Sequence, residues 1–115
     1  MALTADERTL RARLIEDCGK CLRLRPPYNP YIFLRMIEDH GPIEACRRVI
    51  MELPAHQAPS GFTQLLERQS LGLTAEATVL EPTWSKLFDD AVLERAEARL
   101  RGCGWSPSGS DQSKP

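Results

Sequence analysis

The sequence contains no long hydrophobic run, no excess of charge of either sign and only two histidines among its 115 residues. A membrane-spanning helix needs roughly 20 mainly apolar residues in a row, and the opening stretch MALTADERTLRARL lacks the apolar centre of a secretion signal. The expectation is a cytoplasmic protein with no membrane partner. Fifteen Lys and Arg face sixteen Asp and Glu, a formal charge of −1, so the molecule as a whole has no basic surplus with which to coat a nucleic acid. His40 and His56 leave general acid–base chemistry short of imidazoles. No phosphate-cradling glycine loop, nucleophile elbow, zincin helix, EF-hand loop or Glu-x-x-His pair occurs. These absences point away from an enzyme and away from any cofactor.

Hydrophobic residues make up 42% and charged residues 27%, the balance of an ordinary globular domain. A chain this short holds one such domain. It is expected over residues 1–105, followed by a disordered tail over 106–115 that is rich in Ser, Pro and Gly and has no apolar anchor. No segment alternates with a period of two, and no unit repeats, whereas helical periodicity fills the chain. Thr4 and Glu7 form a capping box ahead of a helix starting near residue 5. On a helical wheel Leu10, Leu14, Ile15, Cys18, Cys21 and Leu22 share an apolar side, Gly19 offers room for a neighbouring backbone, and Arg25-Pro26-Pro27 stops the run.

Asn29-Pro30 predicts a cap and first turn for a helix over about residues 30–40, which places Phe33, Met36, Ile37 and His40 at helical spacing. His40 is expected to bond the last carbonyls of that helix. Gly41-Pro42 closes it and opens the next, whose Ile43, Cys46, Ile50 and Leu53 face inward. Beyond a loop at 54–60, Ser60 is expected to cap a short helix closed by Gly72, and Thr74 another that ends before Pro82. Trp84, Leu87 and Phe88 follow in a turn of helix, and Asp89 caps the last helix, which turns Leu93, Ala96, Leu100 and Cys103 inward. Trp105 docks beneath the end of the chain. The fold class is all-α, a compact orthogonal bundle of six or seven short helices.

Cys18-Gly19-Lys20-Cys21 is a single CxxC. Two thiolates at this spacing can hold zinc or cycle as a redox pair, yet a tetrahedral site needs two more ligands. Cys46, Cys103, His40 and His56 offer no second close-spaced pair. The reading beside it is that Cys18 and Cys21 are small apolar residues of a buried helix face. Without a secretion signal, reduced thiols are expected.

Charge is distributed unevenly. Residues 1–25, 26–60, 61–90 and 91–115 sum to +2, −1, −3 and +1. Arg8, Arg13, Lys20 and Arg23 could meet phosphates or an acidic partner, or could simply be the solvated side of a helix. Tyr28, Tyr31, Phe62 and Trp84 are candidate contact aromatics and equally candidates for the core. The Gly41-Pro42 corner also permits a helix-turn-helix reading in which Arg47 and Arg48 contact DNA, although Glu44 and Glu52 on the same helix would repel phosphate.

The run Tyr31-x-x-Leu34-Arg35-Met36-Ile37, Gly41-x-x-x-Ala45, Ser60-Gly61-Phe62-x-x-Leu65, Leu71-x-Leu73-Thr74-x-Glu76-x-x-Val79-Leu80-x-Pro82 and Leu87-Phe88 resembles a small, poorly characterised bacterial helical domain. Such domains stand alone or are appended to larger proteins, sometimes near restriction or defence genes. The resemblance implies a fold and carries no catalytic residue, because its motif residues are mainly apolar and turn-forming. The expected function is a non-enzymatic adaptor that binds a larger protein, in a nucleic-acid-handling or defence assembly, with Arg8, Arg13, Lys20, Arg23, Tyr28 and Tyr31 as contact residues. The alternatives are a small helix-turn-helix regulator using Arg47 and Arg48 and a zinc or redox protein using Cys18 and Cys21.

Overall fold

Thr4 opens the first helix as its chemistry requires. In the structure, a computed structural model describing residues 3–105, its hydroxyl accepts from the Glu7 amide at 3.1 Å and the Glu7 carboxylate accepts from the Thr4 amide at 2.9 Å. Helix α1 (Ala5–Leu22) buries Leu10, Leu14, Asp17, Cys18 and Cys21. Ile15 and Leu22, expected on that buried side, are exposed. At ~100° per residue Asp17 lies beside Leu10 and Cys21, whereas Ile15 and Leu22 fall at the far edge of the apolar arc, and the neighbouring elements cover only a narrow stripe. Gly19 receives no close neighbour, since a Cβ there would meet nothing within 4 Å.

The turn after α1 is tied back by a bond from the Tyr28 amide to the Cys21 carbonyl at 2.9 Å. Helix α2 (Tyr31–His40) then starts one residue later than expected, with Pro30 in the cap position and no side-chain cap, so Asn29 does not cap it. Gly41, at φ 88 and ψ 165, passes the chain directly into α3 (Pro42–Met51). His40 stands exposed with Nε2 3.4 Å from Arg48 and does not bond the helix-end carbonyls.

Helix α4 (Ser60–Glu67) has Pro59 in the cap position, so Ser60 lies inside the helix and does not cap it. It ends well before Gly72. Gln69 at φ 56 reverses the chain, Ser70 bonds back to the Leu65 carbonyl at 2.8 Å, and a 3-10 turn over Leu71–Leu73 inserts Leu71 into the core. Thr74 caps α5 (Ala75–Val79) by accepting from the Ala77 amide at 3.1 Å. After α6 (Pro82–Ser85), Asp89 caps α7 (Asp90–Arg101) by accepting from the Val92 amide at 3.1 Å. Seven α-helices and no strand occur among the described residues, as expected for the all-α class; the tail expected over 106–115 lies outside them.

A helix of five residues sits deepest. All five residues of α5 are buried, and α5 packs against α3, α6 and α7. Its hydroxyl groups are satisfied locally: Thr78 donates to the Thr74 carbonyl at 3.1 Å and Thr74 to the Leu71 carbonyl at 2.7 Å. Leu10, Cys46, Ile50 and Val92 close the main core around it, each large aliphatic contributing about 1.5–3 kcal/mol by leaving water. A smaller cluster joins Phe62, Leu71, Ala77 and Leu100, with Trp105 packed against it as expected.

Candidate functional site

The same packing leaves a cleft of about 320 Å³ between the second half of α1, the turn at 28–30, the first turns of α2 and α4, the end of α3 and residues 73–76. Two clamps hold its walls. From α7, Arg95 donates to the Met51 and Leu53 carbonyls, and Arg99 to those of Gln57, Leu53 and Pro54, which fixes the loop after α3. From the end of α4, Arg68 donates to the Pro26 carbonyl at 2.6 Å and to Gln64, and its guanidinium lies 5.8 Å from the centre of the Tyr28 ring. Tyr28 in turn sits over Gly61, where a Cβ would come within 2.9 Å of the phenol oxygen. Glycine is what lets the tyrosine form this wall.

Three carboxylates, from Asp17, Glu52 and Glu76, line the cleft, and no Lys, Arg or His does so among the described residues. Glu76 is buried and answered by Arg99 Nη1 at 2.7 Å; burial raises its carboxyl above the usual range, against the opposing pull of the arginine. Asp17 is answered on one side only. Arg13 Nε donates to its Oδ2 at 3.0 Å, while its Oδ1 is buried with no hydrogen-bond partner. Arg13 also grips Glu81 through both Nη atoms at 3.0 and 2.5 Å, and its guanidinium lies 5.6 Å from the Trp84 ring centre. One guanidinium therefore serves two carboxylates. Burial raises the Asp17 carboxyl, with Arg13 opposing the rise.

Cys18 and Cys21 also line this space. Burial pushes their thiols up to about 12 and about 11, with Asp17 adding to both, so at neutral pH they are uncharged and poor nucleophiles. Cys46 is buried and shifted upward for the same reason; Cys103 is exposed. Among the described residues no three His, Cys, Asp or Glu side chains gather in a metal-binding group, so the CxxC has the two ligands it brought from the sequence.

The contact residues expected from the sequence are dispersed. Arg13 is half-buried and committed to Asp17 and Glu81. Arg8 donates to the Leu3 carbonyl at 2.8 Å, Lys20 lies 3.9 Å from Glu16, and Arg23 is exposed. Tyr28 is half-buried in the cleft wall and Tyr31 is exposed, while Phe62 and Trp84 belong to the core. Arg47 and Arg48, the candidate DNA contacts, both turn onto Glu44, at 2.7 and 2.8 Å, and together hold its carboxyl down at about 2. Sequence reasoning missed Asp17 and Glu76. A signal for Asp17 existed, since it falls on the buried arc of α1, where an acid needs a reason.

No family model matches the chain, and no solved structure does. Over 77 residues it is 32% identical to the S-adenosylmethionine:tRNA ribosyltransferase-isomerase of Azoarcus sp. (strain BH72). The aligned stretch is 65% of this chain but 22% of that enzyme, so the chain spans about a fifth of the length of the curated relative it matches.

Proposed function

We propose that this chain is a non-enzymatic helical interaction module that docks on a larger protein through the corner joining α1 to α2. The observation that carries the reading is exposure at that corner: Tyr31 and Ile32 are each 62% exposed and Leu22 49%. The bond between Tyr28 and Cys21 draws the two helix ends together. Leu22, Ile15 and Arg8 are spaced seven apart, which puts them on one strip of α1, and all three are exposed. Aromatic and aliphatic side chains beside arginine have the composition of a recognition surface. The resemblance to a bacterial helical domain found alone or appended to larger proteins favours the same role, in the cytoplasm.

The test is a native pull-down read by mass spectrometry, run in parallel with wild type and with Leu22→Asp/Tyr31→Asp. Both substitutions lie outside the cleft and at exposed positions, so the helical circular-dichroism spectrum should persist. A specific protein retained by wild type and lost by the variant is expected; a chain that purifies alone, or a partner indifferent to both changes, sinks the reading.

A further inference from the structure

Among the described residues, Asp17 is the one buried polar side chain left with an unpartnered oxygen, and neither the fold nor the docking reading explains it. Its side chain is 4% exposed, it lines the cleft, and its Oδ1 has no partner. A buried carboxylate oxygen left bare is costly, and it persists where something else supplies the donor. The chemistry of that donor can be read from the walls. Arg13 is shared between Asp17 and Glu81, so the group carries one negative charge more than positive. Glu76 and Arg99 cancel, the thiols are neutral, and Glu52 adds a further acid at the rim. The rest of the lining is largely apolar and includes Phe33, Phe62 and Tyr28, the last already beside the Arg68 guanidinium, so it suits the apolar part of a ligand. A volume of about 320 Å³ falls at the lower end of small-ligand pockets.

We propose that this cleft binds a small organic amine in its protonated form, the ammonium donating to Asp17 Oδ1 and an apolar body lying among Tyr28, Phe33 and Phe62. The cleft adjoins the docking corner at Ile32, which lines it, and the two readings are tested apart because Leu22 and Tyr31 lie outside the lining. The free amine is preferred over a lysine side chain of a partner because the Asp17 side chain is only 4% exposed, and a free amine brings no backbone that must be desolvated with it. The ammonium's charge would also act with Arg13 against the rise that burial imposes on the Asp17 carboxyl.

The probe is hexylamine, protonated at neutral pH, compared with hexan-1-ol of matching length. Binding to the full chain is followed by amide chemical shifts. Saturable binding of hexylamine is expected, at least about tenfold tighter than the alcohol, since a charge-assisted bond replaces a neutral one, with the largest shifts at residues 17, 18 and 21. Asp17→Asn keeps an oxygen for Arg13 and should weaken hexylamine at least about tenfold while leaving hexan-1-ol unchanged. If that variant does not fold, the amine-to-alcohol ratio and the position of the shifts in wild type decide alone. Nα-acetyl-lysine N-methylamide is expected to bind at least about tenfold more weakly than hexylamine; the reverse order would hand the site to a partner's lysine and overturn the free-amine assignment. Equal affinity for amine and alcohol, shifts confined to other elements, or no shift at all would likewise overturn it.

Discussion

At the scale of single residues, the interior is governed by how each buried charge is answered. Arg99 gives one donor to Glu76 and the rest to the Gln57, Leu53 and Pro54 carbonyls, so Arg99→Ala strands a buried carboxylate and loosens the loop, although the Leu53 carbonyl keeps Arg95 and the Pro54 carbonyl keeps the Gln57 amide. Losing one member of such a pair destabilises by about 3–5 kcal/mol. The sign of its pH dependence follows from Glu76, whose folded pKa already lies above the unfolded value and rises further without the arginine. The folded variant then holds a proton that the unfolded chain has released, so its deficit against wild type should shrink as pH falls. Urea denaturation of both proteins across the acid range measures this; a deficit that does not move with pH would place the damage in the carbonyls instead. Glu44 behaves in the opposite sense. Its pKa is lowered to about 2 by Arg47 and Arg48, so what it adds to stability is present above the ordinary glutamate value and disappears as pH falls from about 4.5 to about 2. Thermal melts of wild type and Glu44→Gln should differ at neutral pH and converge toward pH 2, by a small amount because the pairs are on the surface.

At the scale of elements, two glycines in helical surroundings carry opposite expectations. Gly41 holds φ 88 and ψ 165 between α2 and α3, a region essentially closed to residues with a Cβ, so Gly41→Ala should destabilise by about 1–3 kcal/mol although the space beside it is open. Gly19 lies inside α1 with nothing within 4 Å of the place an alanine methyl would take, and Gly19→Ala should stabilise by about 0.5–1 kcal/mol through helix propensity alone. Denaturant midpoints of the two variants should move apart from that of wild type; a shift of both in one direction would mean that glycine content, not backbone geometry, sets the response. This contrast also marks what the sequence could reveal. Caps that rest on one side chain and the next three amides, at Thr4, Thr74 and Asp89, were readable because the interaction is local. Asn29, Ser60 and Gly72 misled because those boundaries answer to distant contacts: Arg68 holds the Pro26 turn across 42 residues of chain, and the burial of Leu71 draws the chain out of α4 early. The exposed Ile15 and Leu22 went unread for a related reason, since periodicity gives the direction of an apolar face and not how much of it a neighbour covers.

At the scale of the whole molecule, the uneven charge along the chain is partly an internal matter. The basic first helix meets the acidic middle through Arg13 with Glu81, and a second pair, Asp6 with Lys86, joins the same segments with the signs exchanged, so the segments that looked like two faces are stitched together at these points. The all-helical class was legible because it sums many local signals, whereas the cleft was not, because it depends on Asp17 meeting walls built from residues 28–36, 49–62 and 73–76. The four cysteines test how completely the packing closes over this region. Cys18, Cys21 and Cys46 are buried and Cys103 is exposed. With thiols at about 11 and about 12, the thiolate fraction at neutral pH for the CxxC is on the order of one in ten thousand or less, even before access is considered. An aromatic disulfide reagent added to the reduced native protein should therefore release one equivalent rapidly, and Cys103→Ser should abolish that phase. The other three should react only as fast as the fold opens, and all four at once in guanidinium. A second rapid equivalent that survives Cys103→Ser and is lost in Cys21→Ser would mean that the cleft admits the reagent and lowers the thiol pKa, which is the behaviour of a redox pair and not of thiols buried in the cleft wall.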